Sequence, residues 1–434
     1  MTLAAMLLTH LVYGQQAMTL QEAVAKSISA NKTLKAEETS VNIAANKIQS
    51  VKDARLPELG ISGQMLYLPF APTINNKLQT APAAEGEGGA SSQGFPVPKT
   101  VTFGGLNASL PIFTGFKLKN SLIQAEKAME LAKIASNVKT EGVAYQTLQL
   151  YYALYKTEQV LKVLDENIER TEQRIVDFGN FVENGLMAEN DLLKAKLQLS
   201  NIQISKEEAL NSRDNLTYKL NTWLDRAPDM PIATSLPSAL MPLNTISNSV
   251  ERGSLQLLNK QVELSRVGVE LSKAAFYPNL ALTAGYINLV VPNLLTVTNA
   301  VNLGVGLKYN ISSLYKNKTE VKTARLQQQY AEQMVAVEKD NIKVEQNEAT
   351  KNVELAIKKL AVYEQALLQA KENLRIVNNK YDNGLADTDQ LLEAEVQYLQ
   401  AEINQNVGVA DQQLAWYQLQ QTNGNLLESL QLNK

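Results

Sequence analysis

Two periodicities alternate along this chain, and each is used twice. Leu161, Leu164, Ile168, Thr171, Ile175, Phe178 and Val182 are spaced alternately by three and four. Leu360, Tyr363, Leu367, Ala370, Leu374, Val377 and Tyr381 repeat that spacing 199 residues later. A heptad stripe of this kind marks helices packed side by side with a supercoil. Residues 117–183, which carry the first stripe, are almost free of glycine and proline. They predict a single helix about 100 Å long, too long for a compact globular domain.

Elsewhere the period is two. Leu59, Ile61, Gly63 and Met65 alternate with Gly60, Ser62 and Gln64, and Leu106, Ala108, Leu110 and Ile112 share one face. Leu280, Leu282, Ala284 and Tyr286 alternate with Ala281, Thr283 and Gly285. Val301, Leu303, Val305, Leu307, Tyr309 and Ile311 alternate with Asn302, Gly304, Gly306, Lys308 and Asn310. Strands are predicted near 57–69, 99–113, 278–291 and 299–312, each about as long as a membrane-spanning strand. The period changes at a proline in both halves, within Ala54-Arg55-Leu56-Pro57-Glu58-Leu59 and Ala275-Phe276-Tyr277-Pro278-Asn279-Leu280, 221 residues apart. Proline cannot continue a helical ladder and biases its predecessor toward extended geometry.

The chain is therefore written twice. Asn184-Gly185-Leu186 precedes Asp191-Leu192-Leu193-Lys194-Ala195, and Asn383-Gly384-Leu385 precedes Gln390-Leu391-Leu392-Glu393-Ala394, again at an offset of 199. Each repeat reads helix, strand, loop, strand, long helix, turn, long helix. The first repeat is 17–226, with an opening helix at about 19–54 and a long polar loop at 70–98. A proline-broken linker, 227–244, leads to the second repeat, 245–434. That repeat opens with a helix at about 245–275 and has only a short loop around Val291 to Thr298. Residues 1–16 form an apolar run ending in small and polar residues. They read as a signal peptide without its positive n-region, or alternatively as a buried N-terminal helix.

Composition narrows the chemistry. With 41 basic against 44 acidic residues, the chain has no basic field for nucleic acid. It has no cysteine and a single histidine, His10, in the leader. Disulfides, thiol nucleophiles, the commonest general base and the usual transition-metal ligands are thus missing, and neither an enzyme nor a cofactor is expected. No stretch reaches the roughly 18 apolar residues of a membrane helix. Four strands with one apolar face each can still enter a membrane, but only in a closed barrel, because hydrocarbon leaves open edges unsatisfied. The smallest usual barrel has about 8 strands. More than one chain is required, and closure alone does not choose between two copies and three.

The run Tyr381-Asp382-Asn383-Gly384-Leu385-Ala386-Asp387-Thr388-Asp389-Gln390-Leu391-Leu392-Glu393-Ala394, with the duplicated strand–helix order, resembles the TolC outer-membrane factor family over nearly the whole chain after the leader. The resemblance implies a mainly α fold with membrane β-barrel strands: a homotrimer forming a 12-stranded β-barrel plus an α-helical tunnel. It places the barrel in outer-membrane lipid and the helices in the periplasm. The partners it implies are a periplasmic adaptor (membrane fusion protein) and an inner-membrane transporter. The role it implies is that of a passive conduit in a tripartite efflux or type I secretion system.

The same resemblance implies a pore constriction at Asp387, Asp389, Gln390 and Glu393, with Glu393 repeated as an acidic ring that attracts cations. Asp387 and Asp389 also suit a helix N-terminus, where the dipole favours acids. Tyr381 and Asp191 are implied as inter-hairpin contacts. The chain departs from the family here: Gln390 is neutral, and Ala386 stands where a basic latch residue is matched, which weakens a charged latch through Asp191. Tyr381 either bonds across the hairpins or packs within its stripe. The turns Asn184, Gly185, Leu186 and Asn383, Gly384, Leu385 would face the adaptor; the glycines' local role is to cap their helices, and capping explains the exposed Leu186 and Leu385 about as well as a partner contact does. Tyr67, Phe70 and Tyr286 are candidates for an aromatic girdle, with ordinary strand packing as the alternative. A non-channel envelope coiled-coil protein would need no strand pairs. A periplasmic adaptor would need only one hairpin, and an enzyme would have to rely on the carboxylates of 382–393.

Overall fold

A computed structural model describes residues 18–70, 99–236, 251–292 and 295–432. The leader, the loop from residue 71 to 98 and the stretch 237–250, which holds the end of the linker and the expected start of the second repeat, lie outside the described residues. The elements are α1 (Leu20–Ala30), α2 (Lys32–Asp53), β1 (Glu58–Tyr67), β2 (Thr100–Thr114), α3 (Lys117–Glu183), α4 (Glu189–Trp223), α5 (Gly253–Lys273), a 3-10 turn (Ala274–Phe276), β3 (Asn279–Val291), β4 (Leu295–Lys308), α6 (Ser313–Asp382), α7 (Thr388–Thr422) and α8 (Leu426–Ser429). They fall into two compact units.

The unit formed by Asn42–Glu130 and Lys260–Glu332 contains one antiparallel sheet in the order β1-β2-β3-β4. Its register aligns the apolar alternation of all four strands. Ile61 lies opposite Leu106, Leu106 opposite Tyr286, and Tyr286 opposite Val301. Directly opposed residues point to the same side, so one face is largely apolar, with Thr102, Asn288 and Thr296 interrupting it toward the β3–β4 hairpin. That face is open, with Ile61 87 % and Leu303 80 % exposed. The other face carries Ser62, Gln64, Asn107, Thr283, Asn302 and Gly304. The outer sides of β1 and β4 are unpaired among the described residues.

Two sequence boundaries are corrected. The fourth strand is Leu295–Lys308 rather than 299–312. Val291 is already paired to Leu295, so threonines that read as loop are strand. At the other end the Asn310 side chain accepts from the Ser312 N–H at 3.2 Å. This begins α6 although Tyr309 and Ile311 continue the alternation. The opening helix at about 19–54 is two helices, broken at the buried Asn31. There the side-chain amide donates to the Trp223 carbonyl at 3.0 Å and the side-chain oxygen accepts from the Thr33 N–H at 2.9 Å. An Asn side chain that satisfies backbone groups competes with helix continuation.

The second unit has its core where α1, α3, α4, α7 and α8 contribute Leu20, Val24, Leu148, Tyr151, Tyr152, Leu220, Trp416, Tyr417 and Leu426. The inter-repeat linker is strapped onto this core. The Tyr151 hydroxyl lies 2.6 Å from the Met18 carbonyl and accepts from the Ser235 N–H at 2.8 Å. The half-buried Glu158 accepts from the Thr234 N–H at 3.2 Å. The two heptad stripes fare differently. Leu161, Leu164, Thr171 and Phe178 of α3 are buried, whereas Leu360, Leu367, Leu374 and Val377 of α6 are only half covered.

Candidate functional site

The two helical hairpins turn in the same way. After α3, the Gly185 N–H donates to Val182 O at 3.0 Å and the Leu186 N–H to Phe181 O at 2.8 Å. After α6, the Gly384 N–H donates to Tyr381 O at 2.9 Å and the Leu385 N–H to Lys380 O at 2.7 Å. These are Schellman caps, which satisfy the last carbonyls of a helix and need a left-handed residue. Gly185 and Gly384 supply it with φ of 67° and 71°. Asn184 and Asn383 each return a side-chain bond to the helix, to Asn180 O and Asn379 O, both at 2.7 Å. Leu186 and Leu385 stand 76 % and 77 % exposed at the turns.

Behind the turns lies a small core of Phe178, Ala195 and Leu391, flanked by Ile175, Met187, Leu192, Leu374, Val377, Tyr381 and Leu392. Tyr381 packs within it, its ring centroid 5.7 Å from that of Phe178. Burial raises its hydroxyl pKa above the usual tyrosine value, opposed by a hydrogen bond with Thr388.

Around this core the expected constriction residues have distinct local roles. Asp387 is the N-cap of α7 and accepts from the Gln390 N–H at 2.8 Å. The Gln390 side chain completes the reciprocal capping box. This arrangement satisfies two orphan donors of the helix. The equivalent N-cap of α4, Ala188, has no such bond. Asp389 is paired at 2.7 Å with Lys194 of α4, and Lys194 lies 3.6 Å from Asp191 on its own helix. Next to the turns, Lys194 and Asp389 thus make a charged contact between the hairpins. Glu393 is exposed and, among the described residues, accepts only from Gln397, one turn on, at 3.2 Å.

Sequence reasoning missed the pairs that join α3 to α7. Arg174 donates to Glu395 at 2.8 Å and to Asn378 at 3.1 Å. Arg170 meets Glu402 at 3.3 Å and lies 5.5 Å from the centre of the Tyr398 ring. Burial raises the Glu395 pKa above the usual carboxylate value, and Arg174 opposes the rise. Nothing in the spacing of either segment identifies partners 221 positions apart in the chain. Only the helix packing does. Among the described residues no cluster of His, Cys, Asp and Glu could hold a metal ion, and no helix is long and apolar enough to cross a membrane.

Residues 249–425 match the family model "Outer membrane efflux protein". The second half of the chain thus resembles an outer membrane efflux protein domain. Over nearly the whole chain, the fold is that of solved outer-membrane channels. The Campylobacter jejuni CmeC outer membrane channel superposes with a TM-score of 0.78 at 16 % identity, covering 94 % of this chain and 86 % of that one. The outer membrane protein VceC of Vibrio cholerae gives 0.74 at 15 % identity, covering 93 % and 96 %. The open state of the Neisseria gonorrhoeae MtrE outer membrane channel gives 0.66 at 17 % identity, covering 94 % and 89 %. None of the curated proteins matches the chain in sequence. The matched efflux proteins are channels rather than enzymes.

Proposed function

We propose that this chain is the outer-membrane channel of a tripartite efflux or type I secretion system, a passive conduit whose energy is supplied by an inner-membrane transporter through a periplasmic adaptor. The observation that carries this reading is the sheet: four antiparallel strands, one exposed and largely apolar face, and two edges unpaired among the described residues. Hydrocarbon tolerates such a sheet only when its edges close on further strands. Because the strand number is even, β4 of one copy runs antiparallel to β1 of the next, so identical copies can continue the ladder until it closes. Three copies supply the barrel of the family resemblance. The half-covered stripe on α6 is the helical counterpart, an apolar seam that one chain leaves incomplete.

At the hairpin tips, Asp387 and Gln390 are committed to capping and Asp389 to Lys194. Of the expected constriction residues, Glu393 is the exposed carboxylate that neither caps a helix nor has an ion-pair partner among the described residues, and in this reading it forms the acidic ring of the entrance. The exposed Leu186 and Leu385 are offered to the adaptor. The mass of the purified complex in detergent tests closure, three chains being expected. A monodisperse monomer in every detergent in which the protein stays folded would contradict it.

A further inference from the structure

The places where strands meet helices carry exposed cations, and the two repeats carry them in the same register. Phe116-Lys117-Leu118-Lys119 leads into α3 and Tyr315-Lys316-Asn317-Lys318 opens α6, 199 residues apart. Lys52, at the end of α2, has its counterpart in Lys273 at the end of α5, at the offset of 221 that relates the two prolines. Lys117, Lys119, Lys316 and Lys318 are all exposed. Among the described residues none of these four has a carboxylate within 4.0 Å, whereas Lys273 is paired with Glu270 at 2.6 Å. Local helix energetics does not account for the four. The first turn of a helix carries partial positive charge and disfavours cations, and neither α3 nor α6 has an acid in its first turn.

Aromatic side chains occupy the same level. Phe116 stands at φ of 67°, directly after Gly115 at 58°, a conformation that is strained for a bulky residue. It is held there by edge contacts to Phe113 and Tyr277, each at 5.3 Å between ring centroids, and it stays 48 % exposed. A bulge after Pro111 sets Phe113 opposite Leu280, on the apolar face of the sheet. Tyr309 and Tyr315 are exposed beyond the end of β4. An apolar band bordered by a level of aromatic and basic residues is what a sheet presents where hydrocarbon gives way to headgroups.

We propose that this collar binds the phosphate headgroups of anionic phospholipid in the leaflet where the strands meet the helices. The inference rests on the channel reading, which supplies the bilayer. The lysines attract the headgroup charge, an interaction that falls with ionic strength, and the aromatic rings sit at headgroup level.

Native mass spectrometry of the full protein in detergent, with equal amounts of phosphatidylglycerol and phosphatidylcholine added, tests it. The native protein is expected to retain phosphatidylglycerol about fivefold or more over phosphatidylcholine. The preference is expected to approach parity in Lys117→Gln/Lys119→Gln/Lys316→Gln/Lys318→Gln and to persist in the corresponding four-site Lys→Arg variant. Equal retention of the two lipids by native protein that conducts in planar bilayers would overturn the collar alone, as would an undiminished preference in a folded Gln variant. Native protein that inserts into no bilayer would overturn the channel reading and the collar together.

Discussion

Arg174 holds a carboxylate that burial works against. Glu395 is raised by desolvation and drawn back by Arg174, and its side chain is only 18 % exposed. Removing one member of a buried pair leaves the other uncompensated, at a cost of about 3 kcal/mol or more. Arg174→Ala is therefore expected to destabilise the hairpin end by about that amount at pH 7. A carboxyl whose folded pKa lies above its unfolded value binds its proton more tightly when folded, so its contribution to stability improves as pH falls from above the folded pKa toward the unfolded one. The melting temperature of Arg174→Ala should recover relative to the native protein between pH 7 and about pH 5, and Arg174→Ala/Glu395→Gln should abolish that recovery. A pH-independent gap between variant and native protein would contradict this role. Gly185 and Gly384 give a cleaner case, because a methyl group at either meets nothing within 4 Å. Gly185→Ala and Gly384→Ala should each cost about 1–2 kcal/mol through the left-handed backbone alone, measurable by denaturant unfolding. Both glycines were legible in the sequence because a cap is a local motif. Arg174, Glu395 and Asn31 were not, because their partners are distant in the chain.

At the scale of elements, the alternation of β1 to β4 was legible because a half-buried strand writes its two faces into consecutive residues. The end of β4 was misplaced because Asn310 turns the chain while the apolar alternation runs on. The two faces of the sheet should respond differently to charge. Leu303→Lys, on the apolar face, is expected to cost about 2–4 kcal/mol in the membrane, whereas Gln64→Lys, on the polar face, should be tolerated. Loss of the heat-stable oligomer on gels is the measure, and equal loss in both variants would contradict the assignment of faces. The open edges can be tested directly, since the chain has no cysteine. Pairs such as Ile61→Cys/Leu303→Cys, scanned along β1 and β4, should yield disulfides between chains in one register. Their absence at every register would show that these strands do not meet.

For the whole molecule, duplication and incompleteness belong together. Each repeat supplies two strands and one hairpin, and neither the sheet nor the α6 stripe is finished within one chain. The entrance chemistry was less legible than the architecture. Asp387, Asp389 and Gln390 looked alike as polar residues of one turn, and only packing separates the cap and the ion pair from the exposed Glu393. If Glu393 lines the constriction, Glu393→Ala should lower the preference for cations over anions in reversal-potential measurements while leaving oligomer mass unchanged. An unchanged preference would remove the acidic ring and leave the barrel standing. The most direct measurement for the barrel is single-channel current after adding the purified protein to a planar bilayer. Discrete, long-lived conductance steps without any energy source are expected, whereas folded protein that gives no steps at any voltage or lipid composition would contradict a closed, membrane-spanning channel.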